Sequence, residues 1–221
     1  MNDKKILIII AHPDDEVLWM GGTICKLIQQ GYSVNILLLS SPWNARKEEK
    51  KNIRLECFQR IVAQLWIDEV FQEFFPDTGF DTIPLLTIIQ SIEKVIQKIE
   101  PSVIYTHFYN DLNIDHALTA RSVITALRPI ERFHFIKKIY LFEILSSTEL
   151  SIGKDQFLPN HYEDIGDFLD YKKQLFQLYI SENQSFPYAR NIEWLETLAR
   201  IRWMESWLPY AESFMLYRSI H

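Results

Sequence analysis

The chain has 221 residues, 48% apolar and 24% charged, with a formal net charge of -6; at this length one core buries roughly 70% of the unfolded surface. Six Gly and nine Pro without a low-complexity tract exclude a disordered or collagen-like chain. An acidic balance whose one basic cluster is residues 46–51 argues against a nucleic-acid partner, and the longest apolar run, residues 6–11, falls far short of the roughly 18 needed for a membrane span.

Residues 6–10 are a short apolar run between polar flanks, the pattern of a strand buried on both faces. Lys4 and Lys5 precede it in the manner of a secretory leader. Six apolar residues are too few for a leader's core, however, and His12, Asp14, Asp15 and Glu16 follow at once, so a cytoplasmic protein is expected. A helix is predicted over 17–30 with Gly31 as its stop, then a strand over 33–40 running into a loop with Pro42. Residues 48–65 read as a helix, 69–74 as a short strand, and 85–99 as a helix with one apolar face at 85, 88, 89, 92, 95, 96 and 99. Cys25 and Cys57 lie in separate helical segments with no paired framework and read as reduced thiols.

Pro101 breaks the chain before a fourth strand over 102–106, a polar loop to Asp115 and a helix over 116–127. Residues 138–144 form a fifth strand and 146–161 read as loop, while 167–221 suggest two helices and a terminal strand around 213–218. Strands alternating with helices predict an α/β three-layer sandwich: a mostly parallel sheet in the order 3-2-1-4-5, covered on both faces, in one domain over residues 1–221.

Binding sites in such sheets lie beyond the carboxyl ends of the strands, where the strand order reverses. The first and fourth strands are neighbours there, and they are followed by AHPDDE (11–16) and THFYNDLNIDH (106–116). A catalytic zinc site needs three N or O ligands and one open position. His12 and Asp15, three apart on a turn fixed by Pro13, meet that need together with His116 from the neighbouring strand end. Asp14 then stands beside the metal as a general base, and Asp111 and Asp115 can accept the other ring N–H of a ligating histidine.

A dinucleotide site is excluded at the same place, because three carboxylates stand where a phosphate-binding glycine loop belongs and Gly21-Gly22 comes too late. Plainer readings stand beside these. Glu16 can serve only the helix dipole, and Asp115 can be only an N-cap. His134, His161 and His221 read as solvated, and the series Trp194, Trp203, Trp207, Tyr210 and Phe214 reads as core packing, with a sugar-lining role for one member as the alternative.

AHPDDE after the first strand and NDLNIDH (110–116) after the fourth closely resemble the LmbE-like, or PIG-L, family of zinc-dependent N-deacetylases. Weaker echoes run on through FPD (75–77), YLFEILSST (140–148), YISEN (179–183) and YAESF (210–214). The resemblance implies a Rossmann-like fold, zinc or another divalent metal on His12, Asp15 and His116, and Asp14 as general base. It also implies hydrolysis of an N-acetyl group on an N-acetylglucosamine-type sugar derivative. Many members carry histidine where this chain has Asn113, although a DLNxDH branch shares the asparagine. Glycines common in the family are replaced by Trp66, Trp203 and Trp207, which implies altered packing around the pocket. Arg46 and Arg54 are the candidates for an arginine aimed at the substrate.

The expected mechanism is metal-assisted amide hydrolysis with Asp14 moving the proton and Asn113 or His107 stabilising the oxyanion. The expected partner is a small N-acetylated sugar derivative, with no nucleic acid and no membrane span, and with a homo-oligomer left open. Two rivals remain: another metal-dependent hydrolase such as a phosphoesterase, which would need a second metal and basic phosphate clamps, and a carbohydrate-binding module with a relic metal site.

Overall fold

Period-two alternation in β1 (Lys5–Ile10) sends its side chains into two separate apolar layers. Ile6, Ile8 and Ile10 pack with Val17, Phe58, Phe176 and Leu195, whereas Leu7 and Ile9 pack with Ile88, Ile92, Ile96 and Val123. The first group comes from α1 (Asp15–Gln29), α2 (Glu48–Gln64), α5 (Leu169–Leu178) and α6 (Ile192–Ser206). The second comes from α3 (Leu85–Ile99) and α4 (Ile114–Ala126). A computed structural model describing residues 4–41, 48–129 and 131–220 thus shows a three-layer mixed α/β fold.

The remaining strands are β2 (Ser33–Ser41), β3 (Glu69–Pro76), β4 (Val103–His107), β5 (Lys138–Phe142), β6 (His161–Asp164) and β7 (Ala211–Ser219). They form a seven-stranded sheet in the order β3-β2-β1-β4-β5-β7-β6. β1 to β5 pair in parallel and carry the expected 3-2-1-4-5 core, while β7 runs antiparallel to both β5 and β6. Pairing of Ile6 with Val103 and Ile8 with Tyr105 sets the carboxyl ends of β1 and β4 side by side.

Several elements differ from the expectation. β6 was not legible because it is a four-residue polar edge strand, HYED, with no apolar alternation. His161, expected to be solvated, lies within β6; its Nε2 is 3.0 Å from Glu163 and its ring is 4.6 Å from that of Tyr140. Phe214 is buried as expected, but Trp194, Trp203 and Trp207 are surface residues. Trp66 and Trp207 adopt left-handed backbone with φ of 57° and 61°, the conformation that favours glycine. No helix among the described residues is long and apolar enough to cross a membrane.

α1 is kinked at Met20 (φ -136°, ψ 21°), and a carboxylate from β7 occupies the break. Glu212 accepts the N–H groups of Gly22 at 3.0 Å and Thr23 at 2.7 Å, and the buried Lys172 ammonium at 2.6 Å. Glycine at 22 is a packing requirement, since a Cβ there would stand 2.7 Å from Ile165 Cγ2. Glu212→Ala leaves a buried ammonium and two helix N–H groups unsatisfied. Urea unfolding should therefore show a loss of about 3–5 kcal/mol, the usual cost of breaking a buried pair from one side.

Candidate active site

The β1–α1 turn is tied together by its own carboxylates. The His12 N–H donates to Asp15 Oδ2 at 2.8 Å and the Asp14 N–H to Glu16 Oε2 at 3.1 Å, while Asp14 sits in left-handed backbone with φ of 115°. A non-glycine residue there is a strained position of the kind held at functional sites. Glu16 therefore does more than complement the helix dipole. Its other oxygen accepts the Tyr179 hydroxyl at 2.6 Å.

On the neighbouring strand end, α4 begins at Ile114, so His116 lies inside its first turn instead of opening it. Asn113, and not Asp115, is the N-cap: its Oδ1 accepts the Asp115 N–H at 3.0 Å. Asp115 instead accepts the N–H groups of Thr78 at 2.7 Å and Phe80 at 3.0 Å, and its Oδ2 lies 3.1 Å from His12 Nε2. Asp111 faces His116 Nδ1 at 3.2 Å and is held by the hydroxyls of Ser147 and Thr148. The two carboxylates thus each orient one histidine.

These contacts leave one nitrogen of each ring pointing at the other. His12 Nδ1 and His116 Nε2 are 3.1 Å apart, and they lie 3.6 Å from Asp15 Oδ2 and Oδ1 respectively. Donors on a tetrahedral zinc with bonds of 2.0–2.1 Å are about 3.3 Å apart, so the spacing suits such an ion. Asp15 Oδ1 is buried with no hydrogen-bond partner, as an oxygen reserved for a cation would be. A second set, His12, Asp77 and Asp115, is also close enough to hold an ion. Its carboxylates are already engaged, Asp77 by Arg54 and Asp115 by the two loop N–H groups.

The electrostatics favour a positive charge at this point. Burial alone would depress the His12 ring, but Asp115, Asp15 and Asp77 around it outweigh burial and push it up to about 9. Burial and the neighbouring His107 push His116 down to about 4. Burial would raise Asp15, yet His116 and His107 hold it well below the ordinary carboxylate range. Asp14 is pushed up to about 7 by burial, against the opposing pull of Arg190 and Arg54.

A cavity of about 240 Å³ opens over this floor, lined by His12, Asp14, Arg54, Asp77, Asn113 and, from the C-terminal third, Ser146, Glu182, Tyr188 and Arg190. Arg190 was not foreseen. Its Nη1 bonds Asp14 Oδ2 at 2.8 Å and Glu182 Oε2 at 3.1 Å, and of these C-terminal residues Ser146, within YLFEILSST, and Glu182, within YISEN, carry a sequence signal whereas Tyr188 and Arg190 carry none. His107 does not line the cavity: it is fully buried, accepts the Ala11 N–H at 2.9 Å and stacks on His116 with centroids 4.2 Å apart. Arg46 lies outside the described residues. None of Trp66, Trp203 and Trp207 lines the cavity, so the altered packing expected around it is instead at the surface.

Residues 7–127, over half of the chain and the span that supplies every candidate ligand, match the GlcNAc-PI de-N-acetylase (PIG-L) family. The chain belongs to this family. It is 24% identical over 188 residues to a probable N-acetyl-alpha-D-glucosaminyl L-malate deacetylase 2 of Bacillus cereus, covering 77% of this chain and 80% of the relative. The N,N'-diacetylchitobiose deacetylase of Pyrococcus horikoshii shares the fold with a TM-score of 0.80 at 20% identity, over 97% of this chain and 84% of that one. So does the 4-carboxy-2-hydroxymuconate hydratase of Pseudomonas putida KT2440, with a TM-score of 0.76 at 20% identity over 99% and 98% of the two chains. The PIG-L fold therefore accompanies more than one named chemistry, and the side chains of the site must carry the argument.

Asp14 combines left-handed backbone with a buried carboxylate whose Oδ1 has no partner. Asp14→Gly should therefore raise the unfolding free energy by about 1–3 kcal/mol, the usual size of such stored strain. Urea titration in the presence of a chelator reads this without a contribution from bound metal. A lowered midpoint would mean that the Arg190 pairing outweighs the strain.

Proposed function

We propose that this chain is a divalent-metal-dependent N-deacetylase acting on an N-acetylglucosamine-type sugar derivative, with residues 1–221 as one catalytic domain. The observation that carries the reading is the triangle of His12, Asp15 and His116 donor atoms beside Asp14, one of whose oxygens is unpartnered. Membership of the PIG-L family and the deacetylases among its relatives support it.

Zinc or another divalent ion held by His12, Asp15 and His116 would polarise an acyl oxygen and make water a better nucleophile. Asp14 takes the proton of the attacking water on Oδ1, while Arg190 fixes Oδ2 and with it the rotamer. As the C–N bond breaks, Asp14 returns that proton to the departing amine nitrogen, and acetate is the other product. Asn113 has its carbonyl oxygen committed to the α4 cap, which leaves its NH2 as the group able to donate to the oxyanion. His107 acts beneath the site, stacked on His116, rather than on the substrate.

A phosphoesterase would use basic clamps, and the cavity does contain Arg54 and Arg190. Both are paired internally, Arg54 with Asp77 and Arg190 with Asp14 and Glu182, which favours a neutral or mildly polar substrate over a phosphate ester.

Elemental analysis should find about one divalent ion per chain, lost in His12→Ala and His116→Ala variants that still fold. Full occupancy in both would discard the ligand assignment. Acetate release should be detected on a panel of N-acetyl hexosamines and their glycosides, and Asp14→Asn should retain metal while lowering kcat by about 100-fold or more. A panel with no acetate release, alongside phosphate release from esters, would favour the phosphoesterase. Asn113→Ala should cost on the order of 10² in kcat; a loss below about fivefold would reduce Asn113 to a helix cap.

A further inference from the structure

α6 carries two apolar faces. Leu195 and Ala199 are buried in the core, with Leu198 packed beside them. Thr197, Ile201 and Met204, at i, i+4 and i+7, form a stripe on the opposite side. Ile201 is 42% exposed, Met204 78%, Trp203 44% and Trp207, just past the helix end, 87%. The two indoles meet edge to face at 6.3 Å. Ile201, Trp203, Met204, Pro209 and Tyr210 line an apolar groove of about 520 Å³.

We propose that this face is the interface of a homodimer. The first argument is area. Exposed to these extents, two indoles, a Met and an Ile present on the order of 500 Å², since a large aromatic side chain contributes roughly 150–250 Å². That is near the top of the roughly 300–600 Å² a monomer ordinarily shows. Doubled across a two-fold axis it gives on the order of 1,000 Å², the lower bound of a specific interface.

The second argument is charge. With Thr197, Ile201 and Met204 at the d, a and d positions of a short heptad seam, Arg200 falls at g and Glu205 at the following e. Two copies packed about an axis parallel to α6 place Arg200 against Glu205 of the partner subunit, twice by symmetry, while Ile201 meets the partner's Ile201 across the seam. A β-branched residue at a favours two strands over three. Both charged groups are at the surface, Arg200 paired with Glu196 at 3.0 Å and Glu205 with Arg202 at 2.8 Å, so each can extend its ion pair without being desolvated first. The net charge of -6 opposes an anionic lipid surface as the occupant.

Sedimentation equilibrium of the full chain at up to about 200 µM, the range in which interfaces of this size associate, tests the proposal. A monomer–dimer equilibrium is expected, its Kd raised at least about 30-fold in Met204→Glu, as for truncation or charging of an interface hot spot. The melting temperature should stay near that of the parent, because Met204 touches no core. Arg200→Glu should weaken the dimer, and Arg200→Glu combined with Glu205→Arg should restore it to within about threefold. A chain that stays monomeric throughout, a dimer indifferent to Met204→Glu, or a charge swap that fails to restore would each overturn the proposal. So would a monomer that cosediments with phosphatidylcholine vesicles, which would give the face to a lipid surface.

Discussion

Burial of His12, Asp14, Asp15, Glu16, His107 and His116 at the junction of β1 and β4 is the constraint from which the surrounding structure follows. Each buried charge costs several kcal/mol unless it is paired and hydrogen-bonded, so the chain has to bring partners from far away in sequence. The Ala11 N–H satisfies Nε2 of His107, Asp115 and Asp111 satisfy the outer ring nitrogens of His12 and His116, Tyr179 satisfies one oxygen of Glu16, and Arg190 satisfies one oxygen of Asp14. What the protein itself does not satisfy is as informative: among these six side chains Oδ1 of Asp14, Oδ1 of Asp15 and Nδ1 of His107 are left over, the first suited to a proton and the second to a cation.

The same bookkeeping explains why the C-terminal third is needed although the family match ends at residue 127. Tyr179 and Arg190 come from the segment between α5 and α6, and Glu182 between them steers the guanidinium onto Asp14. That segment is anchored in turn by the α5–β7 pair Lys172–Glu212, whose carboxylate also fills the break in α1. The antiparallel strands added beyond β5 thus brace both the helix that opens the site and the segment that closes over it.

Much of this was legible in the sequence because it depends on patterns that burial enforces. Strands hidden on both faces must carry continuous apolar runs, such as 6–10 and 36–39, and the switch-point rule then puts AHPDDE beside NDLNIDH without further information. Two kinds of feature were not legible. β6 is a short polar edge strand with no apolar alternation to mark it, and the α4 cap turns on one side-chain hydrogen bond, made by Asn113 where the sequence reading has only Asp115 as N-cap. Arg190 is a contact across 176 positions, and nothing local marks one arginine among many as the one that reaches Asp14. The tryptophans were misread for a related reason: composition says that aromatics are costly to expose, but not that a helix with one buried face can present a second apolar one.

The hydratase that shares this fold sharpens the question of which feature selects the chemistry. A cation beside a carboxylate base would serve many reactions of water, so neither alone separates them. The discriminating element is how charge is distributed in the rest of the cavity. Arg54 and Arg190 each face a carboxylate of the protein itself, Asp77 in one case and Asp14 with Glu182 in the other. An anionic substrate would have to draw an arginine away from a pair that is already partly desolvated, and lose that pairing before gaining its own. A neutral acetamido sugar asks for no such exchange. It needs donors and acceptors at the wall, which the amide of Asn113, the hydroxyl of Ser146 and the phenol of Tyr188 are of the right type to supply. On this reading the arginines are fittings of the catalytic aspartate and its loop rather than clamps for the substrate, and it is the neutrality of the cavity as built that turns a general hydrolytic centre toward an amide.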